Sequence, residues 1–208
     1  MDSDVTQTVA EYVEQTLGRE SYQFICAVVA NCKMLALELD DEEVSQLDMD
    51  ALVMAAYLHN ISTVEYGYRN HHIKSAEMAV DFLRELDVPA ERVAKVEQAI
   101  LIHTSMAAPE QREAGPIEGR VLFDADKLGR LSGLAVVTSL IEFGARYPNR
   151  AVTGEVLAAI LRHIEERFVE LYQSLHTAPA REMARSKFGN TLAFLDGVIE
   201  HLSDATPV

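Results

Sequence analysis

The chain has 208 residues, 49% of them apolar, which excludes disorder and is enough to bury a sizeable core. Its 18 basic and 33 acidic residues leave a formal charge of −15. That field repels polyanions, so no nucleic-acid partner is expected, and a phosphorylated ligand would need local cations to offset it. No apolar run reaches the roughly 20 residues that span a bilayer. The acidic opening, MDSDVTQTVAEYVE, also differs from a cationic signal or transit peptide, so the expectation is a cytoplasmic protein with no membrane partner.

In chain order, apolar residues recur at helical spacing. Residues 4–17 and 20–39 read as helices divided near Gly18. Cys26 and Cys32 fall in the second of these. Their spacing is not that of a CxxC redox or zinc pair, and buried reduced thiols are expected. The apolar stretch 50–61 is a buried helix with Asp50 as its N-cap, followed by a polar loop over 62–70. A helix over 71–86 precedes one that opens at Pro89 and runs to about His103. A loop with Pro109, Gly115 and Pro116 leads into a helical segment over 117–144. Thr153 opens a helix to about His176, and Thr177 with Pro179 starts a last one that ends near Leu202. The fold class predicted is an all-α, single-domain bundle of about seven to ten helices with no sheet. Residues 1–19 form a helix packed on a domain over 20–203, and 204–208 form a disordered tail.

Polar residues interrupt the apolar faces at four places. Leu52, Ala55, Ala56 and His59 share one stripe, which takes His59 and Asn60 inward together. His72 stands over Ala76, Ala79, Val80 and Leu83. Val93, Val96, Ile100 and His103 form a third stripe, and Val121-Leu122-Phe123 runs straight into Asp124-Ala125-Asp126. A lone histidine on such a face is most often a hydrogen-bonded core residue. Three of them with an acid on four inward faces call for a common partner, because buried polar groups are costly when left alone. A metal ion is one such partner, since imidazole and carboxylate are good donors to Zn, Fe, Mn or Ni. His163, among Arg162, Glu165 and Glu166, reads as a solvated residue, and His176 and His201 as helix C-terminal cations.

These segments resemble the HD superfamily of metal-dependent phosphohydrolases. AAYLHN at 55–60 looks like that family's AALLHD. HHIKSAEMAVDFLRELDVP and IEGRVLFDADKLGRLSGLA resemble later parts of the same domain, with DADKL similar to the DADRL of small bacterial nucleotide hydrolases. SLHTAPAREMARSKFGNTLAFLDGVIEHL resembles their closing helix, so the likeness covers about residues 20–203. HD proteins bind metal through an early His, the His-Asp doublet and a later Asp. Here the doublet is His59-Asn60, and the early His is absent because His59 is the first histidine in the chain. Phe24 or Ile25 takes its place. The later Asp matches Asp126, with Asp124 the alternative, and His72 and His103 resemble the added histidines of members that hold a second metal.

The resemblance implies a centre of His59, His72, His103 and Asp126 around a divalent ion (Zn, Mn, Ni, Fe or Mg). Asn60 is a weaker, neutral donor that does not readily bridge two cations. Lys74 and Arg69 are candidates to hold a phosphate, with Arg130 equally available. Asp124 is a candidate general base and Lys127 a candidate catalytic cation. The substrate implied is a nucleotide or small phosphoester, and a homodimer is an allowed assembly. The favoured reading is an HD-type hydrolase with a degenerate centre and doubtful catalysis; the alternative, supported by the two missing donors, is a non-catalytic HD-like module that binds a ligand or protein. A redox iron enzyme of HD type is disfavoured by Asn60.

Overall fold

The computed structural model describes residues 2–131, 133–148 and 154–204. Every regular element among them is helical, and none is long and apolar enough to cross a membrane. The described residues divide into two compact units, one drawn from 1–126 with 176–179, the other from 127–175 with 180–208.

In the first unit, α1 (Asp2–Leu37) is broken at Gly18, whose φ of 76° and ψ of 163° lie outside helical space. Only glycine takes this φ without strain, which is why the two predicted helices part there. The central α3 (Met49–Leu58) packs against α1 and α6 (Ala90–Ile102), and α6 packs against α5 (His71–Glu85). Nearly all of α3 is buried, as its all-round apolar sequence requires. The three stripes read from the sequence face inward, from Leu52 to His59, from His72 to Leu83 and from Val93 to His103.

Three short helices were missed by the sequence reading. They are α2 (Asp41–Gln46), α4 (Thr63–Tyr66) inside the expected 62–70 loop, and α7 (Pro109–Glu113). Each lacks an apolar stripe and has no buried residue, so periodicity gave no signal. The segment expected as one piece over 117–144 is two helices, α8 (Ile117–Arg130) and α9 (Gly133–Arg146). The described helical elements therefore exceed the expected seven to ten by one.

Asp50 is not the cap of α3. That role belongs to Asp48, whose carboxylate accepts the Ala51 N–H at 3.0 Å, because the helix starts at Met49. Asp50 instead pairs with Arg92 at 3.3 Å. Gly119 of α8 lets that helix close on α6. A Cβ there would collide with the Ile102 side chain and stand 3.2 Å from the Ala99 Cα.

In the second unit, α9 packs against α10 (Gly154–Gln173). Phe143, Val156, Ala159 and Ile160, with Glu155 and His163, line an open apolar cavity of ≈ 410 Å³ between them. The helix α11 (Ala178–Asp204) carries His201 in its last turn, as expected. Thr153, the expected start of α10, lies outside the described residues.

Candidate functional site

α3 and α6 run parallel. Their N-terminal ends are joined where Arg92 meets Asp48 at 2.9 Å and Asp50 at 3.3 Å, and their C-terminal ends bring His59 and His103 together. These two histidines are the C-cap residues of the two helices, and their rings meet edge to face with centroids 5.0 Å apart. His71, at the start of α5, completes the group, its centroid 5.2 Å from that of His103. All three are buried.

One local device orients all three rings. Nδ1 of His59 reaches the Ala56 carbonyl at 2.8 Å, Nδ1 of His71 the Tyr68 carbonyl at 2.9 Å, and Nδ1 of His103 the Ile100 carbonyl at 2.5 Å. A carbonyl can only accept, so each Nδ1 carries a proton and each neutral ring presents a lone pair at Nε2. For His59 and His103 the acceptors belong to the last turn of a helix, whose orphan carbonyls need donors. Nε2 of His71 lies 3.2 Å from Nε2 of His103.

A buried hydroxyl pair holds α5 in register with the end of α3. Ser62 Oγ donates to the His71 carbonyl at 3.1 Å and lies 3.0 Å from Ser75 Oγ, which accepts the Ser62 N–H at 3.2 Å. His71, Tyr68, Ser62 and Ser75 were not singled out from the sequence. The signal available was small: Ser75 follows His71 by one turn, on the same side of α5.

The predicted residues are placed as follows. His59, His72 and His103 are buried on the expected faces. His72 stands next to His71, with ring centroids 5.8 Å apart, and its Nδ1 is buried without a hydrogen-bond partner. Burial, and then neighbouring His71, holds the His72 imidazole below its ordinary value. Asp126 is buried, and its charge reaches Cys32. Burial pushes the Cys32 thiol up, and Asp126 and Asp124 push it further. Both cysteines are free thiols; Cys32 is buried as expected, while Cys26 is half-buried.

Asp124 is fully buried. Its two oxygens accept the His176 N–H at 2.8 Å, the Thr177 N–H at 2.7 Å and the Thr177 hydroxyl at 2.7 Å. These bonds anchor the start of the last helix, which is a structural task. His176 thus lies beyond the end of α10, its ring 5.0 Å from Phe123. Lys127 is buried. Arg69 is exposed, and Lys74 is exposed and paired with Glu77 at 2.7 Å. The Arg130 side chain lies outside the described residues.

The ligand set implied by the HD resemblance does not fit. Of the two residues expected at the early-His position, Ile25 is 1% exposed and buried with Val28, Val29 and Cys32, whereas Phe24 is 41% exposed, and neither supplies a metal donor. Asn60 occupies the acid position of the doublet. Among the described residues, no group of three or more His, Cys, Asp or Glu side chains gathers closely enough to hold an ion.

Comparison with known proteins places this arrangement in context. The HD domain family matches residues 25–131, just over half of the chain. No curated protein matches it significantly. Among solved structures, it is similar to an HD-superfamily hydrolase from Bacillus thuringiensis, at 18% identity and a TM-score of 0.72, over 98% of this chain and 100% of that one. The Lin1889 protein from Listeria innocua is similar at 14% identity and a TM-score of 0.71, over 99% of each chain. YpgQ of Bacillus subtilis, in complex with ADP, is similar at 18% identity and 0.68, over 96% of each. At these identities the structural likeness speaks to the fold. With the domain matched from Ile25 to Leu131 across the histidine cluster, the chain belongs to the HD domain family.

Proposed function

We propose that this chain is a phosphohydrolase-like HD protein of the cytoplasm that recognises a nucleotide or small phosphoester, with hydrolysis weakened by its altered centre. One observation carries the reading. Three buried histidines, tautomerically aligned, meet at the position of the family's His-Asp doublet. Protein interiors seldom keep such polar groups together without a chemical use. Arg69 and Lys74 are exposed cations near the start of α5 in sequence, and a phosphate would need such groups against the net charge of −15. The ADP seen with YpgQ makes a nucleotide the first substrate to try.

Ile25 and Asn60 favour a second reading, a binding module without turnover. An isoleucine in the core supplies no donor, and an amide is a weaker ligand than a carboxylate. Turnover of nucleotides and generic phosphoesters by the wild type and by Ile25→His with Asn60→Asp separates the two. The expected result is weak wild-type hydrolysis that the double variant raises by about tenfold or more with Mn or Mg. Silence in both, with nucleotide still bound, selects the module. Silence with no nucleotide or phosphate bound overturns both readings.

A further inference from the structure

The segment leading from α4 into α5 leaves four large side chains exposed, Val64, Tyr66, Tyr68 and Ile73. It borders the histidine cluster, because His71 is the first residue of α5. Exposed apolar surface concentrated beside a buried polar group is the surface that a ligand covers.

Tyr68 is the most exposed of the four, at 69%, yet its backbone is fixed on both sides. Gly67 before it has a φ of 69° and closes α4, donating its N–H to the Thr63 carbonyl at 3.0 Å. Asn70, two residues on, also lies in the left-handed region with a φ of 58°. The Tyr68 carbonyl accepts the His71 N–H at 3.4 Å and the His71 Nδ1–H at 2.9 Å. The two rings meet edge to face with centroids 5.8 Å apart. An aromatic ring on a fixed backbone has few torsions left to freeze when a flat ligand stacks on it. Tyr66 is placed differently: its hydroxyl donates to Glu65, and Lys74 and Glu77 lie close enough to act on it.

The charge beside Tyr68 suits the other end of such a ligand. Arg69 follows it and is exposed, and the first turn of α5 carries no acid, in a chain of net charge −15. A flat base joined to phosphates fits both features.

We propose that Tyr68 stacks the base of a nucleotide whose phosphates lie toward Arg69, so that the site prefers nucleotides to phosphoesters without a base. The inference rests on the phosphoester reading above and narrows its substrate class. Stacking reads the face of a base and not its edge, so purines and pyrimidines are both accepted.

Calorimetric titration of the whole chain with ADP and with inorganic pyrophosphate tests it. The wild type should bind ADP about tenfold more tightly than pyrophosphate, and Tyr68→Ala should remove that advantage. Tyr68→Phe keeps the ring and should retain it, as should Tyr66→Ala. Pyrophosphate affinity should stay the same in all three variants, and circular dichroism checks that they fold. An ADP affinity untouched by Tyr68→Ala overturns the inference. So does an equal loss of pyrophosphate in that variant, which would mean that Tyr68 acts only by holding His71. Wild type that binds pyrophosphate as tightly as ADP overturns it too, while sparing the phosphoester reading. Binding of neither ligand overturns that reading, and this inference with it.

Discussion

The parallel helices α3 and α6 meet twice, and the two meetings are built from opposite chemistry. At their N-terminal ends, Arg92 bridges Asp48 and Asp50, while buried Glu118 of α8 accepts the Asp48 N–H at 2.7 Å and lies 3.6 Å from Lys95. Acidic groups face helix N-termini there, and cations from α6 answer them. At the C-terminal ends, histidines gather with their Nδ1 protons given to carbonyls and their Nε2 atoms turned toward one another. The first end is complete as it stands and serves stability. The second gathers three buried imidazoles, the feature on which the proposed function rests.

Substitution should separate the two ends. The largest loss is expected for Glu118→Ala, which strips a buried acceptor from the start of α3 and leaves Lys95 without its partner carboxylate. Thermal or urea unfolding should show a loss of about 3 kcal/mol. An unchanged midpoint would mean that this end does not hold α3 to α8.

Gly119→Ala should cost somewhat less, about 2 kcal/mol, because the added methyl strikes Ile102 and crowds Ala99. Ile102 directly precedes His103, so this variant should also weaken nucleotide binding, whereas Glu118→Ala should not. Equal loss of nucleotide binding in both would dissolve the distinction between the ends.

The smallest effect concerns Asp48. Burial would raise its carboxyl, but the Ala51 N–H and the Arg92 guanidinium outweigh burial and hold it below the usual carboxylate range. A depressed carboxyl adds stability that is fully present above its unfolded value of about 3.9, and that is lost as pH falls through the folded value. Arg92→Ala should therefore cost about 1 kcal/mol at neutral pH and flatten the acid limb of the stability profile. An acid limb as steep as that of the wild type would show that Arg92 does not set the Asp48 titration.

Much of this arrangement was legible in the residue order. An inward stripe reveals itself by spacing, so His59, His72 and His103 could be placed on buried faces before any coordinates, and Gly18 could be named as a break. Missing ligands were equally plain, since no histidine precedes His59 and Asn60 follows it. Periodicity says which way a side chain faces within its own helix, but not what it meets from another. That His71 rather than His72 faces His103 depends on the rotation of α5, which the Ser62–Ser75 pair ties to the end of α3. Asp124 likewise looked like a free acid beside Asp126, and only the return of the chain at His176 and Thr177 occupies its oxygens. Burial patterns are local, repeating every 3.6 residues, and so they are written in the sequence. Partners are chosen over separations such as the 32 residues from His71 to His103, and only close packing of whole helices decides them.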